Sequence, residues 1–164
     1  MIKVVENFLS SEECKDLISS VSSFREAPQK DYERNCLLKF ISLPSLTPKL
    51  LTFINESNRN FELDSKFEFI KYRPGDHFQW HNDLMSSEGR REYFTFVIFL
   101  NTDYTGGNLI IRENLKESVI EKKEGTLCIF NSSLVHKVTK VVEGERYSLC
   151  NWAYIDTEKN KSII

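Results

Sequence analysis

The sequence predicts a mainly β fold, a distorted jelly roll (double-stranded β-helix) with N-terminal helices packed on the larger sheet. Two observations carry this prediction. From Phe67 onward, seven short strand-like segments are separated by turn-forming clusters such as those at 73–76 and 105–108. None of the six glycines precedes Gly75, so the two parts of the chain are built differently. Seven or eight short strands with few helices between them are typical of a jelly roll or related barrel.

Size and composition indicate one ordinary globular domain. The 164 residues fit a single domain 1–164, with 1–66 as a helical support region and 67–156 as the jelly-roll core. The net charge of −2 gives no general attraction to nucleic acid or membrane, so neither is expected as a partner. No apolar run resembles a signal peptide or a membrane span, and four scattered cysteines suggest free thiols in a reducing cytoplasm.

Helix signals dominate the first part of the chain. Ser10 and Glu13 form a capping-box pattern, and apolar residues then follow at 14, 17, 18 and 21. Thr47 followed by Pro48 predicts a second helix, capped by Thr47 and running to about Asn58.

The predicted strands are, in order, 36–43, 66–72, 77–83, 92–100, 107–112, 125–130, 136–142 and 146–154. The run 94–100 is apolar on both faces, so one face should line the barrel and the helices should cover the other. Alternation places Thr95, Val97 and Phe99 on the interior face.

A metal-binding pattern closes the segment 77–83. His81 and Asp83 alternate along a strand, so both side chains can point into the barrel. A third ligand must come from another strand, and His136 is the only histidine downstream. Two histidines and one carboxylate suit iron(II) and leave positions open for substrates. The pattern H-x-D is frequent by chance, and its alternative interpretation is a surface histidine beside a solvated aspartate.

Arg146 begins a strand-like segment in which Arg146, Ser148, Cys150 and Trp152 share one face. An arginine aimed into an apolar barrel needs a carboxylate partner, because an isolated buried charge is costly. A small dicarboxylate bound to the metal at one end and to Arg146 at the other would satisfy both sites. The alternative is a surface arginine paired with a neighbouring glutamate.

About half of the chain, from Tyr72 to Trp152, carries motifs in a specific order. They are Tyr72-x-x-Gly75, Phe78-x-x-His81-x-Asp83, Thr95 through Phe99-Leu100-Asn101, Gly106-Gly107-x-Leu109, Gly125-x-Leu127, Ile129-Phe130, His136, Gly144-x-Arg146-Tyr147 and Trp152. In this ordered set the chain resembles the iron(II)/2-oxoglutarate-dependent dioxygenase superfamily, in its prolyl 4-hydroxylase-like branch.

The resemblance implies Fe(II), 2-oxoglutarate and O2 as cofactor and cosubstrates, with ascorbate as a stimulant. His81, Asp83 and His136 would be the catalytic iron ligands, and Arg146 would bind the distal carboxylate of 2-oxoglutarate. The remaining cosubstrate pocket would be formed by Tyr72, Phe99, Leu109, Val138 and Trp152.

Two departures from the family pattern concern the cosubstrate and the substrate. Phe99 stands where some relatives place a tyrosine that assists the arginine, so that hydrogen bond is absent. Trp80 replaces a common proline and Phe78 a common tyrosine, at positions expected to border the prime substrate.

The implied reaction is hydroxylation of an unactivated C–H bond with release of succinate and CO2. The resemblance favours a prolyl residue in a peptide, or free proline or a related amino acid, as substrate. One alternative is nucleic-acid demethylation, but such relatives carry a second arginine six residues after the first, where this chain has Trp152. The other is a non-catalytic metal-binding jelly-roll module, which would not need Arg146. The oligomeric state is not indicated.

Overall fold

The computed structural model describes residues 1–28, 33–54, 60–84, 86–87 and 90–156, with the backbone alone described at 86–87 and 90–92. Within these residues the helices are α1 (Ser11–Ser20) and α2 (Leu46–Leu51). The strands are β1 (Ile2–Val5), β2 (Arg25–Glu26), β3 (Arg34–Asn35), β4 (Leu37–Ser42), β5 (Glu62–Leu63), β6 (Lys66–Tyr72), β7 (His77–His81), β8 (Ser86–Ser87), β9 (Arg90–Phe99), β10 (Thr105–Gly106), β11 (Leu109–Glu113), β12 (Lys116–Val119), β13 (Leu127–Asn131), β14 (Val135–Val138), β15 (Val141–Glu143) and β16 (Arg146–Asp156).

The strands form two main antiparallel sheets. The larger runs β1-β13-β9-β16-β6-β4-β2, with β5 beside β16 and β8 beside β9. The smaller runs β12-β11-β14-β7-β3, and β10 pairs with β15. Apolar residues of both sheets meet in shared clusters, so the sheets pack face to face. The predicted mainly β jelly roll is confirmed.

The outer face of the large sheet carries one hydrophobic core. Phe94, Phe96 and Ile98 of β9 point to this face, where they pack with Cys14 of α1 and Leu50 of α2. Burying these aromatic and aliphatic side chains is the main favourable term that holds the helices on the sheet. The prediction that N-terminal helices cover one face of the strand 92–100 is confirmed.

The opposite face of β9 lies between the sheets, as predicted. Val97 and Phe99 pack there with Ile111 of the small sheet and with Cys128 and Phe130 of β13. Side chains alternate along a strand, so with Phe94, Phe96 and Ile98 on the outer face, Thr95, Val97 and Phe99 point toward the interior.

Helix α1 begins as the capping box predicts. The Glu13 amide donates to Ser10 Oγ over 3.1 Å, and the Ser10 amide donates to Glu13 Oε2 over 2.7 Å. The prediction for α2 is wrong at its start, because Ser45 is the N-cap and Thr47 lies inside the first turn. The helix ends at Leu51, and residues 55–58 of the predicted extension lie outside the described residues.

The first 66 residues add strands as well as helices. Strand β1 pairs with β13, and β4 pairs with β6, so both extend the large sheet. The predicted strand 136–142 is two strands, β14 and β15, which belong to different sheets. No helix in the described part of the chain is long and apolar enough to span a membrane.

Candidate metal and dicarboxylate site

The local sheet pairing brings the predicted metal ligands together. His81 ends β7 directly opposite His136 of β14. The pairing has an irregularity next to this position, between His136 and Val138. Asp83 follows β7 and is held by its amide, which donates to the Ser132 carbonyl over 2.9 Å. The backbone of two strands and one turn therefore fixes all three side chains.

The three side chains converge on one point. His81 Nε2 lies 3.5 Å from Asp83 Oδ1, and His136 Nε2 lies 3.4 Å from Asp83 Oδ2. One ligand atom from each residue lies within 4.8 Å of the other two. This spacing suits a single ion held by two nitrogens and one oxygen.

Both imidazoles are held so that Nε2 faces the convergence point. His81 Nδ1 lies 2.7 Å from the Gln79 carbonyl, and His136 Nδ1 lies 3.0 Å from the Leu134 carbonyl. Because Nδ1 donates to the carbonyl, Nε2 keeps its lone pair for a metal. Burial, together with the neighbouring His136, lowers the pKa of His81 to about 4 although Asp83 opposes the shift. His81 is therefore neutral, the form that binds metal, near pH 7.

A hydroxyl pair orients the carboxylate. Thr95 Oγ1 donates to Asp83 Oδ2 over 2.8 Å and lies 3.0 Å from Ser132 Oγ. Such contacts fix the direction of a ligand oxygen and raise metal affinity. The sequence analysis placed Thr95 on the interior face but did not identify this contact, since a threonine in a strand is common for its β propensity alone.

The triad opens into a cavity of about 440 Å³ between the sheets. The predicted cosubstrate residues that line it are Tyr72, Leu109, Val138, Arg146 and Trp152. Phe99 does not line the cavity, and its ring lies instead against the Arg146 guanidinium, with 5.5 Å from Cζ to the ring centroid. Of the two substrate-border positions, Phe78 lines the cavity, whereas Trp80 does not and packs between Arg112 and Lys137.

Arg146 is a buried cation with no anionic partner among the described residues. It is 1% exposed, and its Nη1 donates to Ser148 Oγ over 2.9 Å. Its guanidinium lies 5.1 Å from the ring centroid of Tyr72. Within the part of the chain that the structure describes, no carboxylate pairs with Arg146, and its Nε has no hydrogen-bond partner. A buried charge without a counter-charge costs free energy, so we expect an anionic ligand to bind beside Arg146.

A second tyrosine lies beside this arginine. The Tyr104 hydroxyl is buried and has no hydrogen-bond partner among the described residues. Burial raises the pKa of Tyr104, and the nearby Arg146 guanidinium opposes that rise. Gly107 leaves room for both, since a Cβ there would lie 3.1 Å from Arg146 Cδ and from Tyr104 Cε2. A tyrosine hydroxyl is thus close to the guanidinium although position 99 lacks one, which the sequence analysis missed.

The cavity also contains an ion pair that the sequence analysis missed. Arg34 Nη2 lies 2.7 Å from Glu68 Oε2, and both residues line the cavity. Cys150 lines it too, and burial raises the pKa of its thiol to about 12, so the thiol stays protonated. Charged side chains 34 positions apart on two different sheets carry no local sequence signal.

The residues present fit iron(II) and 2-oxoglutarate. The two imidazoles and the carboxylate form a donor set that leaves coordination positions open. In the same cavity, the buried guanidinium of Arg146 offers a planar fork that matches a distal carboxylate.

Several curated proteins are similar in sequence to this chain. A PKHD-type hydroxylase of Prochlorococcus marinus is 28% identical over 134 residues, which cover 79% of this chain and 53% of the relative. The chain spans about half the length of the curated relatives it matches.

Two solved structures share the fold. The viral collagen prolyl hydroxylase of Paramecium Bursaria Chlorella virus-1, in its 2OG complex, has a TM-score of 0.75 at 18% identity, covering 94% of this chain and 96% of that one. A Trichoplax adhaerens prolyl hydroxylase, in complex with a hypoxia inducible factor peptide fragment, has a TM-score of 0.75 at 20% identity. The match covers 99% of this chain and 87% of that one.

A family model matches residues 67–154, which contain the triad, Arg146 and most of the cavity lining. This chain belongs to the 2OG-Fe(II) oxygenase superfamily.

Proposed function

We propose that the chain is a hydroxylase that uses iron(II), 2-oxoglutarate and oxygen to hydroxylate an unactivated C–H bond. The observation that carries the proposal is Arg146, a buried cation that lacks an anionic partner among the described residues and lines the same cavity as the triad. A structural metal site would account for His81, Asp83 and His136 but would not explain why a buried arginine lines the same cavity.

Each side chain has a separate task in this proposal. His81, Asp83 and His136 hold the iron, and Thr95 keeps the carboxylate oriented. Arg146 binds the distal carboxylate of 2-oxoglutarate. When bound, the iron with 2-oxoglutarate and oxygen supplies the oxidising chemistry and releases succinate and CO2.

The apolar lining does the remaining work by excluding water from the reacting centre. Tyr72, Leu109 and Val138 surround the space that the cosubstrate would occupy. Trp152 lines the cavity and is paired in the sheet with Thr95, which holds the metal-ligating carboxylate. A dry cavity strengthens every electrostatic contact within it.

The substrate is proposed to be a prolyl residue in a peptide, or free proline or a related amino acid. The prolyl hydroxylases with the same fold support this class, and one of them holds a peptide fragment. Residues 1–66 are proposed to support a catalytic core at 67–156 within one domain. The cysteines are free thiols, which supports a reducing, cytoplasmic location. Stimulation by ascorbate stays a prediction.

A mass-spectrometric screen tests the proposal. Purified protein with iron(II), 2-oxoglutarate and oxygen is offered proline-containing peptides and free amino acids, and both an added oxygen and succinate are measured. We expect substrate-dependent succinate from the wild type and none from His81→Ala or His136→Ala, each of which removes a metal ligand from an open site. Substantial turnover in both variants would rule out the triad as the metal centre.

A further inference from the structure

The ion pair inside the cavity has no task in holding iron or 2-oxoglutarate. Arg34 and Glu68 are each 13% exposed, and their charged atoms lie 2.7 Å apart. Removing two charges from water costs free energy that their attraction only partly offsets, and apolar residues of similar volume are often as stable in such places. A charged pair kept in a ligand cavity therefore points to recognition of a charged ligand.

The pair lies close to the metal ligands. The Arg34 guanidinium is 5.0 Å from the ring centroid of Phe78, and that ring stacks on His81 with 3.5 Å between centroids. Glu68 lies on β6 in the large sheet, directly beside Cys150 of the cavity wall. One aromatic ring therefore separates the ion pair from the triad, so a small molecule bound at the pair can extend toward the metal.

Two opposite charges side by side match a ligand that carries a carboxylate and an ammonium group on neighbouring atoms. The guanidinium fork can bind a carboxylate through two parallel hydrogen bonds, and the glutamate can accept from an ammonium group. On binding, Arg34 and Glu68 would exchange each other for the two ligand charges, so each of the two would keep a partner of opposite charge. An internal residue of a peptide has only neutral amides at these positions and cannot make this exchange.

We propose that the prime substrate is a free amino acid, with its carboxylate on Arg34, its ammonium group on Glu68 and its side chain directed toward the triad. This proposal rests on the proposed function and narrows it, because it selects the free amino acid over the prolyl residue of a peptide. A blocked or internal residue has no charge to replace either partner, so placing it here would separate Arg34 from Glu68 without compensation, and that cost is what would exclude it.

Calorimetric titration of the protein loaded with manganese(II) and 2-oxoglutarate tests this without turnover. The probes are L-proline and the other proteinogenic L-amino acids, each compared with its N-acetyl, N′-methylamide derivative. We expect at least one free amino acid to bind more than about tenfold more tightly than its blocked derivative, since truncating one partner of a buried charge pair has effects of that size or larger. This comparison uses the wild type, so it does not depend on the folding of any variant.

Variants then assign the effect to the ion pair. The double variant Arg34→Met/Glu68→Leu removes both charges together and should keep the fold and the affinity for 2-oxoglutarate while losing the amino acid more than about tenfold. The matched control is Arg112→Met/Glu117→Leu, which removes an exposed Arg–Glu pair from the small sheet and should change neither affinity.

Three results would overturn the proposal: no free amino acid binds, the blocked derivatives bind equally well, or the charge-free double variant retains full affinity. If the wild type fails to bind 2-oxoglutarate at all, it is the proposed function that fails, and the two failures are thus distinguished.

Discussion

At the scale of single residues, the candidate metal site is built from side chains whose orientation is set by hydrogen bonds to neighbouring groups. The imidazoles of His81 and His136 each donate a hydrogen bond from Nδ1 to the backbone carbonyl two residues earlier in the chain. The Asp83 carboxylate is held by Thr95, whose hydroxyl also meets Ser132. The ligands are thus oriented before any ion arrives, which lowers the cost of binding one.

Replacing Thr95 tests one of these hydrogen bonds. Thr95→Val removes the hydroxyl and keeps the shape of the side chain, so Asp83 loses a hydrogen bond without leaving a cavity. We expect metal affinity to fall about 10- to 100-fold, the usual effect of removing such an orienting contact. Titration with manganese(II) measures it directly.

Thr126→Val is the matched control, because Thr126 is also buried in the large sheet region and its hydroxyl has no partner among the described residues. The metal affinity of Thr126→Val should equal that of the wild type. An equal affinity in Thr95→Val and the wild type would show that the hydroxyl does not orient the carboxylate.

The sequence could predict those residues whose pattern reflects the strand itself. His81 and Asp83 alternate in one segment, and Arg146 begins a strand in which Cys150 and Trp152 share its face. Tyr104 and the Arg34–Glu68 pair could not be predicted this way. Their roles depend on contacts between segments that are distant in the sequence. Tyrosine, arginine and glutamate also occur in many different environments, so their residue type alone predicts no role.

At the scale of elements, the loop before α1 is anchored to the turn before β13. The Leu9 amide donates to the Gly125 carbonyl over 3.0 Å, and the Gly125 amide donates to the Phe99 carbonyl over 2.8 Å. Gly125 has a φ of +72°, and a Cβ there would lie 2.0 Å from the Leu9 carbonyl oxygen. This close approach connects the N-terminal segment to the large sheet.

Gly125→Ala should therefore destabilise the protein strongly. A left-handed conformation costs a non-glycine residue about 1–2 kcal/mol, and the clash with backbone adds about 1–3 kcal/mol because neither segment can move freely. Gly75→Ala is the control, since Gly75 has a φ of +92° but open space around its Cβ position. Urea unfolding should show a larger loss of unfolding free energy at 125 than at 75. Equal losses would mean that the two segments separate easily.

Element boundaries were predictable where several signals agree. The capping box and the apolar spacing both place α1, and the structure has it at Ser11–Ser20. Thr47 and Pro48 were the signals for α2, and the helix instead starts at Leu46 with Ser45 as its N-cap. Two-residue strands such as β2, β3 and β5 are defined by their partners, so the sequence carries no pattern for them.

At the scale of the whole molecule, the two faces of the large sheet have different tasks. The outer face buries Phe94, Phe96 and Ile98 under the helices and stabilises the fold. The inner face of the same strands presents Thr95, together with Arg146 from β16, to the cavity. The alternation of side chains along a strand therefore separates stability from ligand binding, so changes in the cavity can alter affinity without unfolding the protein.

The central claim is that one cavity binds iron(II) through the triad and 2-oxoglutarate through Arg146, and anaerobic absorption spectroscopy tests it most directly. Titrating 2-oxoglutarate into the iron(II)-loaded protein should produce a visible charge-transfer band, which requires the chelate. Arg146→Ala should shift the half-saturation point by more than about tenfold, as expected for the loss of a buried charged partner, whereas the exposed control Arg112→Ala should match the wild type. Absence of the band in the wild type, or the same half-saturation point in Arg146→Ala, would contradict the account.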